Sequence, residues 1–310
     1  MTRRKSDLDW LKQHLYALMK VAGMISSIRP EVRNEFGPWT TLKLIGVKYW
    51  QEVYSTIMHE HLRGLGNTSM AYLDVMAGSG LNKIKGIRCT VAGSSILAAT
   101  VPTKPFDYIL SIESNRNRAR ALEARLARVR SPGSFRVINK PADHAIDEAL
   151  KDLRERNTHF MAFVDYQGMK GFSRESMVKL LDAPCDVWFT FFPNIRRSLT
   201  LAQMDPANRE TCVRFFGEVV DEETTFEKVV AGWINHFAAR REIIRFFPIE
   251  SGEGYYYLLV FMTRKTRGGS SYMRAADDLE RRLSSITGSF AETVLRILAE
   301  NQQQLEDFGG

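Results

Sequence analysis

Short apolar runs alternate with amphipathic stretches through the middle of the chain. Continuous apolar runs are typical of strands buried on both faces of a parallel sheet, and apolar positions spaced by three and four residues are typical of the covering helices. The pattern predicts strands at 71–76, 106–112, 134–138, 160–165 and 186–192, with helices near 94–101, 116–130, 143–155 and 173–182. Strict alternation of this kind indicates an α/β fold with a doubly wound sheet.

Two later strands and helical segments at both ends complete the predicted layout. A long helical region at about 198–240 precedes strands at 243–249 and 255–263, and the loop at 250–254 predicts that these two strands are antiparallel. We therefore expect a seven-stranded, mostly parallel sheet. The predicted division is an N-terminal helical cap (1–66), a Rossmann-like domain (67–270) and a C-terminal helical segment (271–310).

A glycine turn follows the first strand of this sheet. Gly78 and Gly80 let a ligand approach the main chain closely, and Glu113 ends the next strand along the chain. A glycine turn followed by such an acid binds a nucleoside, with the acid accepting hydrogen bonds from the ribose. A short glycine turn also occurs without any ligand. The predicted cofactor-binding residues are Asp74, Ala77, Gly78, Ser79, Gly80, Glu113, Ser114 and Asp143.

The length of the glycine turn favours one nucleoside over another. The longer nicotinamide motif requires a third glycine, and Lys83 stands at that position. S-adenosyl-L-methionine has no pyrophosphate to hold, so the shorter turn favours this cofactor over NAD. Asp74 lies in an apolar strand and therefore needs a polar partner. Asp143 is placed to accept a hydrogen bond from the adenine amine, or else to cap its helix.

Further candidate residues follow the later strands. Asp165 ends an apolar strand and is positioned to bind a substrate amino group or to accept its proton, and Tyr166 beside it to stack on a flat substrate. The alternative is that Asp165 caps a turn. Four arginines after the fifth and the last strands are predicted to bind a phosphate or carboxylate of the substrate: Arg196, Arg197, Arg264 and Arg267. We expect Arg264 and Arg267 to lie beside the ligand face.

Composition narrows the classes of function. Apolar residues make up 44% and charged residues 25%, as in ordinary globular proteins, and no apolar run approaches the length of a membrane span. Three widely spaced cysteines match neither a disulfide framework nor a zinc site, so we expect a cytoplasmic protein without a metal or a membrane partner. The net charge of +7 is compatible with a nucleic-acid partner, although the arginines of 116–130 are interpreted as a solvated helix face.

Several short motifs together resemble the three-Cys-motif partner proteins, a methyltransferase-like family usually encoded beside a radical enzyme with three cysteines. The likeness covers about residues 37–275. Its motifs are Gly37-Pro38-Trp39-Thr40 with Lys43-Leu44, Tyr72-Leu73-Asp74 with Ala77-Gly78-Ser79-Gly80, Gly93-Ser94-Ser95, Phe163-Val164-Asp165-Tyr166-Gln167-Gly168, Phe192-Pro193 with Arg196-Arg197, and the late tyrosine-rich strand. The resemblance implies a Rossmann-like methyltransferase fold and S-adenosylmethionine as the cofactor.

The fourth strand end departs from the family pattern. The family usually has Asp-Pro-Tyr-Gly there, and this chain has Asp165-Tyr166-Gln167-Gly168. Proline would rigidify the loop that holds a target amine, so its absence leaves methylation of an amine open. Two hypotheses result: a methyltransferase acting on nucleic acid, or an inactive Rossmann-like module that binds a radical enzyme or nucleic acid. A nuclease is less favoured, because the sequence offers no convincing carboxylate cluster for a metal.

Overall fold

A mostly parallel seven-stranded sheet forms the centre of the protein. The computed structural model describes residues 6–62, 68–166, 171–191, 205–217, 223–250, 256–265 and 270–308. Its strands are β1 (Asn34–Phe36), β2 (Ser69–Val75), β3 (Leu81–Ile84), β4 (Thr90–Ala92), β5 (Tyr108–Ile112), β6 (Phe135–Ile138), β7 (Thr158–Val164), β8 (Cys185–Phe191), β9 (Ile243–Glu250) and β10 (Tyr256–Thr263). The large sheet has the order β6-β5-β2-β7-β8-β10-β9, and β10 pairs antiparallel with both of its neighbours. The predicted fold class is confirmed.

Helices cover both faces of this sheet. They are α1 (Asp7–Gly23), α2 (Thr40–Leu62), α3 (Ser94–Thr100), α4 (Arg116–Val129), α5 (Ala142–Glu155), α6 (Arg174–Asp182), α7 (Pro206–Phe216), α8 (Phe226–Ala238), α9 (Ser270–Ser285) and α10 (Gly288–Phe308). The helical region predicted at about 198–240 contains α7 and α8. Its segments at 198–204 and 218–222 lie outside the described residues. Within the described ranges, no helix is both long and apolar enough to cross a membrane.

Alternate residues of β2 enter two separate hydrophobic cores. Tyr72 belongs to the core beneath α1 to α4, α9 and α10, whereas Leu73 and Val75 belong to the core beneath α5 to α8. All three side chains are fully buried. A strand flanked by apolar residues on both faces sits at the centre of a sheet, and its carboxyl end is therefore held rigidly.

The helices near both chain ends share a core with the sheet. Trp50 of α2 packs against Trp188 of β8 and Phe261 of β10, with ring centroids 5.2 and 4.5 Å apart. Leu15 of α1 and Leu295 of α10 are fully buried in the same core. Aromatic pairs at these distances bury large apolar areas and fix relative orientation. Helix α2 thereby carries its first turn to the carboxyl edge of the sheet.

A small second sheet was not predicted. β1 pairs parallel with β3, and β3 pairs antiparallel with β4. The hairpin of β3 and β4 lies between the glycine turn and α3, where no element was predicted. These strands contain three or four residues each, so they are too short to show a period-two pattern. Through β1, the N-terminal segment reaches the predicted ligand site.

Candidate functional site

A pocket of about 560 Å³ opens where the parallel strands end. It is lined by the glycine turn after β2, by Glu113 and Ser114 after β5, by Asp165 after β7, and by residues of β1 and α2. β5 and β7 flank β2 on opposite sides, so the direction of the strand order reverses there. Ligands of open α/β sheets bind at such a switch point.

Glu113 and Gly78 meet inside this pocket. The Gly78 N–H donates to Glu113 Oε2 over 2.8 Å, and the Asn115 N–H donates to Oε1 over 2.7 Å. The Glu113 side chain is therefore fixed by two backbone donors. Each carboxylate oxygen carries a second lone pair, so Glu113 can also accept hydrogen bonds from a ligand. Ala77 and Ser114 line the same pocket.

The space beside Gly78 is taken up by Asn34. Gly78 has a φ of +66°, and a Cβ there would lie 2.6 Å from Asn34 Nδ2. Asn34 donates to Asn82 Oδ1 over 2.8 Å, and its own Oδ1 accepts from the Ser79 N–H over 3.4 Å. Asn34 was not predicted as a site residue, because its strand was not predicted. It holds the glycine turn from the side of β1.

Asp74 lies below the pocket and is fully buried. Its Oδ2 accepts from Ser94 Oγ over 2.5 Å and from Ser95 Oγ over 2.7 Å. Burial raises the Asp74 pKa to about 7, although the two serine hydrogen bonds lower it. The predicted polar partner of Asp74 is thus this pair of serines, and Ser94 connects the acid to the pocket wall.

Ser79 and Gly80 lie behind the pocket wall. A Cβ at Gly80, whose φ is +77°, would be 2.8 Å from the Leu122 side chain and 2.9 Å from that of Ile96. The Ser79 hydroxyl donates to the Leu81 carbonyl over 3.0 Å. Gly80 thus allows the turn to pack closely on α3 and α4, as the third glycine of longer motifs does.

Arg125 is buried, contrary to the interpretation of its helix face as solvated. Its guanidinium donates to the Ser79 carbonyl over 2.6 Å and to the carbonyls of Ile28, Arg29 and Val32. Burial, with Arg33 and Arg29 nearby, lowers the Arg125 pKa to about 10. Arg125 therefore joins the glycine turn to the segment that precedes β1.

Lys43 and Asp165 form a buried ion pair on the pocket wall. Lys43 Nζ lies 2.7 Å from Asp165 Oδ1 and 2.6 Å from Oδ2. The two side chains are only 6% and 15% exposed. Lys43 was not predicted as a site residue, and it was named only within the Lys43-Leu44 motif of the family resemblance. Its position in a run of apolar helix residues was a signal, because lysine is rarely buried unless it is paired.

Tyr166 points away from the pocket into the core. It is 2% exposed, and its ring packs edge-on against Phe215, with centroids 5.0 Å apart. Phe172 and Phe189 contact the same ring. In this arrangement Tyr166 offers no exposed face on which a substrate could stack, in contrast to the stacking role predicted from its position beside Asp165.

Asp143 joins helices and lies outside the pocket lining. Its Oδ1 accepts from the Ser173 N–H and from Ser176 Oγ, both over 2.6 Å, and its Oδ2 pairs with Arg214. Burial raises the Asp143 pKa, but these bonds together lower it by more, so the Asp143 pKa is below its ordinary value. Pro141, not Asp143, is the N-cap residue of α5.

Arg264 lies at the opposite edge of the sheet from the pocket. Because β10 is antiparallel, its end is beside the start of β8, where Arg264 donates to the carbonyls of Asp182 and Ala183. The expectation that Arg264 lies beside the ligand face is wrong for this reason. Arg196, Arg197 and Arg267 lie outside the described residues, so their predicted roles stay predictions.

Within the part of the chain that the structure describes, no group of three or more His, Cys, Asp or Glu side chains could hold a metal ion. Cys89, Cys185 and Cys212 are free thiols. The chemistry available in the pocket is therefore hydrogen bonding by Glu113, the Lys43–Asp165 pair, and the cations Arg118 and Lys140 at its edge.

No family model and no curated protein matches this chain. Among solved structures it is similar to a Legionella pneumophila protein (10% identity, 78% of this chain and 92% of that one, TM-score 0.44). It is also similar to a putative caffeoyl-CoA O-methyltransferase from Staphylococcus aureus (13% identity, 82% of this chain and 97% of that one, TM-score 0.43). Trm1 from Pyrococcus horikoshii, solved with S-adenosyl-L-methionine, is 14% identical over 76% of this chain and 58% of its own, with a TM-score of 0.38.

The fold class follows from the sheet itself. Five parallel strands centred on β2, followed by an antiparallel pair, form the doubly wound, Rossmann-like arrangement of methyltransferase domains that was predicted from the sequence. Its pocket lies at the carboxyl edge, where such folds bind ligands.

Proposed function

We propose that this protein is an S-adenosyl-L-methionine-dependent methyltransferase that acts on nucleic acid. The proposal is carried by one observation: Gly78 and Glu113 line the same pocket, 2.8 Å apart at their hydrogen-bonding atoms. A glycine turn beside a carboxylate at the end of the next strand is the arrangement that accommodates a nucleoside. The fold alone does not assign an activity, so the site must do so.

The residues present fit this cofactor. The pocket volume of about 560 Å³ lies within the range of small-molecule sites. Glu113 is placed to accept hydrogen bonds from the ribose hydroxyls, and Gly78 and Ala77 line the pocket beside it. When bound, the cofactor supplies a methyl group on a sulfonium, which is transferred by direct displacement. The protein then needs mainly to orient the acceptor and to stabilise charge.

We assign Asp165 to the acceptor side of the pocket, where Lys43 contacts both of its carboxylate oxygens. Both oxygens of Asp165 face the Lys43 ammonium, so an amine acceptor would have to compete with Lys43 for them. An acceptor that carries negative charge would instead interact with Lys43 and with the neighbouring cations of the pocket edge. A nucleic acid, whose phosphates are negative, agrees with these cations and with the net charge of +7.

Transfer of a radioactive methyl group tests this activity. The protein is incubated with methyl-tritiated S-adenosylmethionine and, separately, with total RNA and genomic DNA. We expect acid-precipitable label in one nucleic acid, reduced by Glu113→Ala and unchanged by Asp147→Ala, a control at an exposed acid on α5. Absence of label in both, with cofactor binding intact, would contradict methyl transfer to nucleic acid.

The Lys43–Asp165 pair also supports a second candidate function. If Lys43 keeps Asp165 occupied and the proline-free loop has lost its role, the sheet would act as a binding module for nucleic acid or for a three-cysteine radical enzyme. Co-purification with such an enzyme, when the two are expressed together, would support this candidate. Methyl incorporation in the assay above would exclude it.

A further inference from the structure

A second cavity, on the outer side of the β1–β3 strand pair, carries concentrated positive charge. Its volume is about 550 Å³, and Arg33, Lys83 and Arg88 line it together with Ser26, Cys89 and Thr90. All three cations are exposed, and no Asp or Glu is among the lining residues that the structure describes. We call this cavity the basic groove.

Lys83 and Arg33 of the basic groove both keep donors that can contact an anion. Lys83 pairs with Glu35 over 2.9 Å, but both side chains are about half exposed, and such surface pairs are weak. Arg33 donates from Nε to the Pro30 carbonyl, and a guanidinium has four further N–H donors. Arg29 and Arg33 both lower the pKa of the neighbouring Arg125, after the effect of burial, although Glu31 raises it. Positive charge therefore accumulates at this end of the molecule.

The basic groove and the pocket share one wall. Asn34 and Asn82 pair in register and line the pocket, whereas Arg33 and Lys83, their immediate chain neighbours, line the groove. A polymer held along the groove would therefore lie one strand pair away from the pocket. The cations come from two chain segments, the residue before β1 and the β3–β4 hairpin, and Lys and Arg side chains that line one groove are the groups that contact phosphates.

We infer that the basic groove binds the phosphate backbone of a nucleic acid and places one nucleotide at the mouth of the pocket. The second part rests on the proposed function, and the first part does not. A phosphate backbone contacted by Lys and Arg releases counterions, so its affinity falls with salt in proportion to the number of contacts. This dependence makes the inference measurable without knowledge of the natural sequence.

Fluorescence anisotropy with a labelled single-stranded RNA tests the groove. For the triple variant Arg33→Ala, Lys83→Ala and Arg88→Ala we expect affinity at least about tenfold weaker. We also expect the slope of log K against log salt to become shallower by about two. The control removes the same charge from α5 and α6, on the other face of the sheet, by Lys151→Ala, Arg154→Ala and Lys179→Ala, and should keep the wild-type slope. Equal losses in the two variants, or none in the first, would overturn the inference.

A second measurement uses the wild-type protein, so its result does not depend on whether the triple variant folds. Cys89 lines the groove and is partly exposed, whereas Cys185 and Cys212 are buried. Bound RNA should slow alkylation of Cys89 by a maleimide, and an unchanged rate would overturn the inference. Stronger binding to vesicles containing phosphatidylserine than to RNA would also overturn it, in favour of a membrane surface.

Calorimetry with S-adenosylmethionine separates this inference from the proposed function. The triple groove variant should bind the cofactor as the wild type does, because none of its three residues lines the pocket. RNA binding through the groove without any cofactor binding would leave the inference in place and contradict the methyltransferase. Cofactor binding without groove-dependent RNA binding would contradict the inference about the groove and leave the proposed methyltransferase in place.

Discussion

Lys43 and Lys83 each pair with a carboxylate at less than 3 Å, but one pair is buried and the other is exposed. Removing one partner of a buried pair leaves an uncompensated charge. We expect Lys43→Met to lower the free energy of unfolding by about 3 kcal/mol and Lys83→Met by less than about 1 kcal/mol. Urea denaturation measures both. Equal effects of the two substitutions would show that the Asp165 site is not the buried environment described above.

Asp74, which is fully buried, makes stability depend on pH. Its pKa is raised from 3.8 to about 7, so between these values the folded protein binds a proton that the unfolded chain has lost. The contribution of Asp74 to stability is therefore greatest below about pH 4 and falls as the pH rises towards 7, by up to about 1.4 kcal/mol per pH unit. Urea denaturation at pH 5, 6 and 7 should show a steeper decrease for the wild type than for Asp74→Asn. Parallel curves would assign the pH dependence to other groups.

Acids of the site could be predicted residue by residue, and their cationic partners could not. Glu113 and Asp165 were predicted because the ends of parallel strands meet at one edge of the sheet. Lys43 is 122 residues from Asp165 in sequence, and Arg125 is 46 residues from Ser79. Only the packing of the helices that carry Lys43 and Arg125 brings them close to these partners. Asp143 and Tyr166 follow strands in the same way as Glu113, but their side chains enter helix contacts and the core.

Among the elements, the glycine turn depends on its contact with β1. We expect Gly78→Ala to weaken cofactor binding and to destabilise the fold, because its Cβ would be 2.6 Å from Asn34. Gly133 also has a positive φ, +83°, but no atom lies near its Cβ position, so Gly133→Ala reports backbone strain alone, about 1 kcal/mol. Thermal denaturation and calorimetry compare the two variants. If both lose the same stability, contact with Asn34 does not explain the glycine.

Helix α4 connects the glycine turn to the segment before β1 through Arg125. Arg125→Met would leave buried carbonyl groups without their donor, and we expect a loss of about 3 kcal/mol in the free energy of unfolding. Arg128→Met on the same helix replaces an exposed arginine and should change stability little. Hydrogen exchange should show faster exchange in residues 28–36 of the Arg125 variant. Unchanged exchange there would mean that other contacts hold this segment.

The strands of the large sheet could be predicted from sequence, whereas those of the small sheet could not. Buried strands such as β7 are apolar along their whole length, and this pattern needs no knowledge of neighbours. β1 is Asn-Glu-Phe, and it becomes a strand because β3 provides its hydrogen-bonding partner. The helical region predicted at about 198–240 was not divided from sequence, whereas α7 ends before Gly217, whose positive φ stops the helix.

For the molecule as a whole, the fold places the pocket and the basic groove on either side of one strand pair. The pocket combines acids and cations, whereas the described residues that line the basic groove include cations and no acids. Both depend on the N-terminal segment, which supplies Asn34 and Lys43 to the pocket and Arg33 to the groove. The sequence pattern assigned this segment to a helical cap and so gave it no part in binding.

Calorimetric titration with S-adenosylmethionine tests the central claim most directly. We expect the wild type to bind the cofactor, and Glu113→Ala to bind it about ten- to one-hundredfold more weakly, because hydrogen bonds to a charged group contribute about 1.5–3 kcal/mol. Asp147→Ala should bind as the wild type does. Absence of binding to the wild type, or equal affinity in the Glu113 variant, would contradict the claim that this pocket holds a nucleoside.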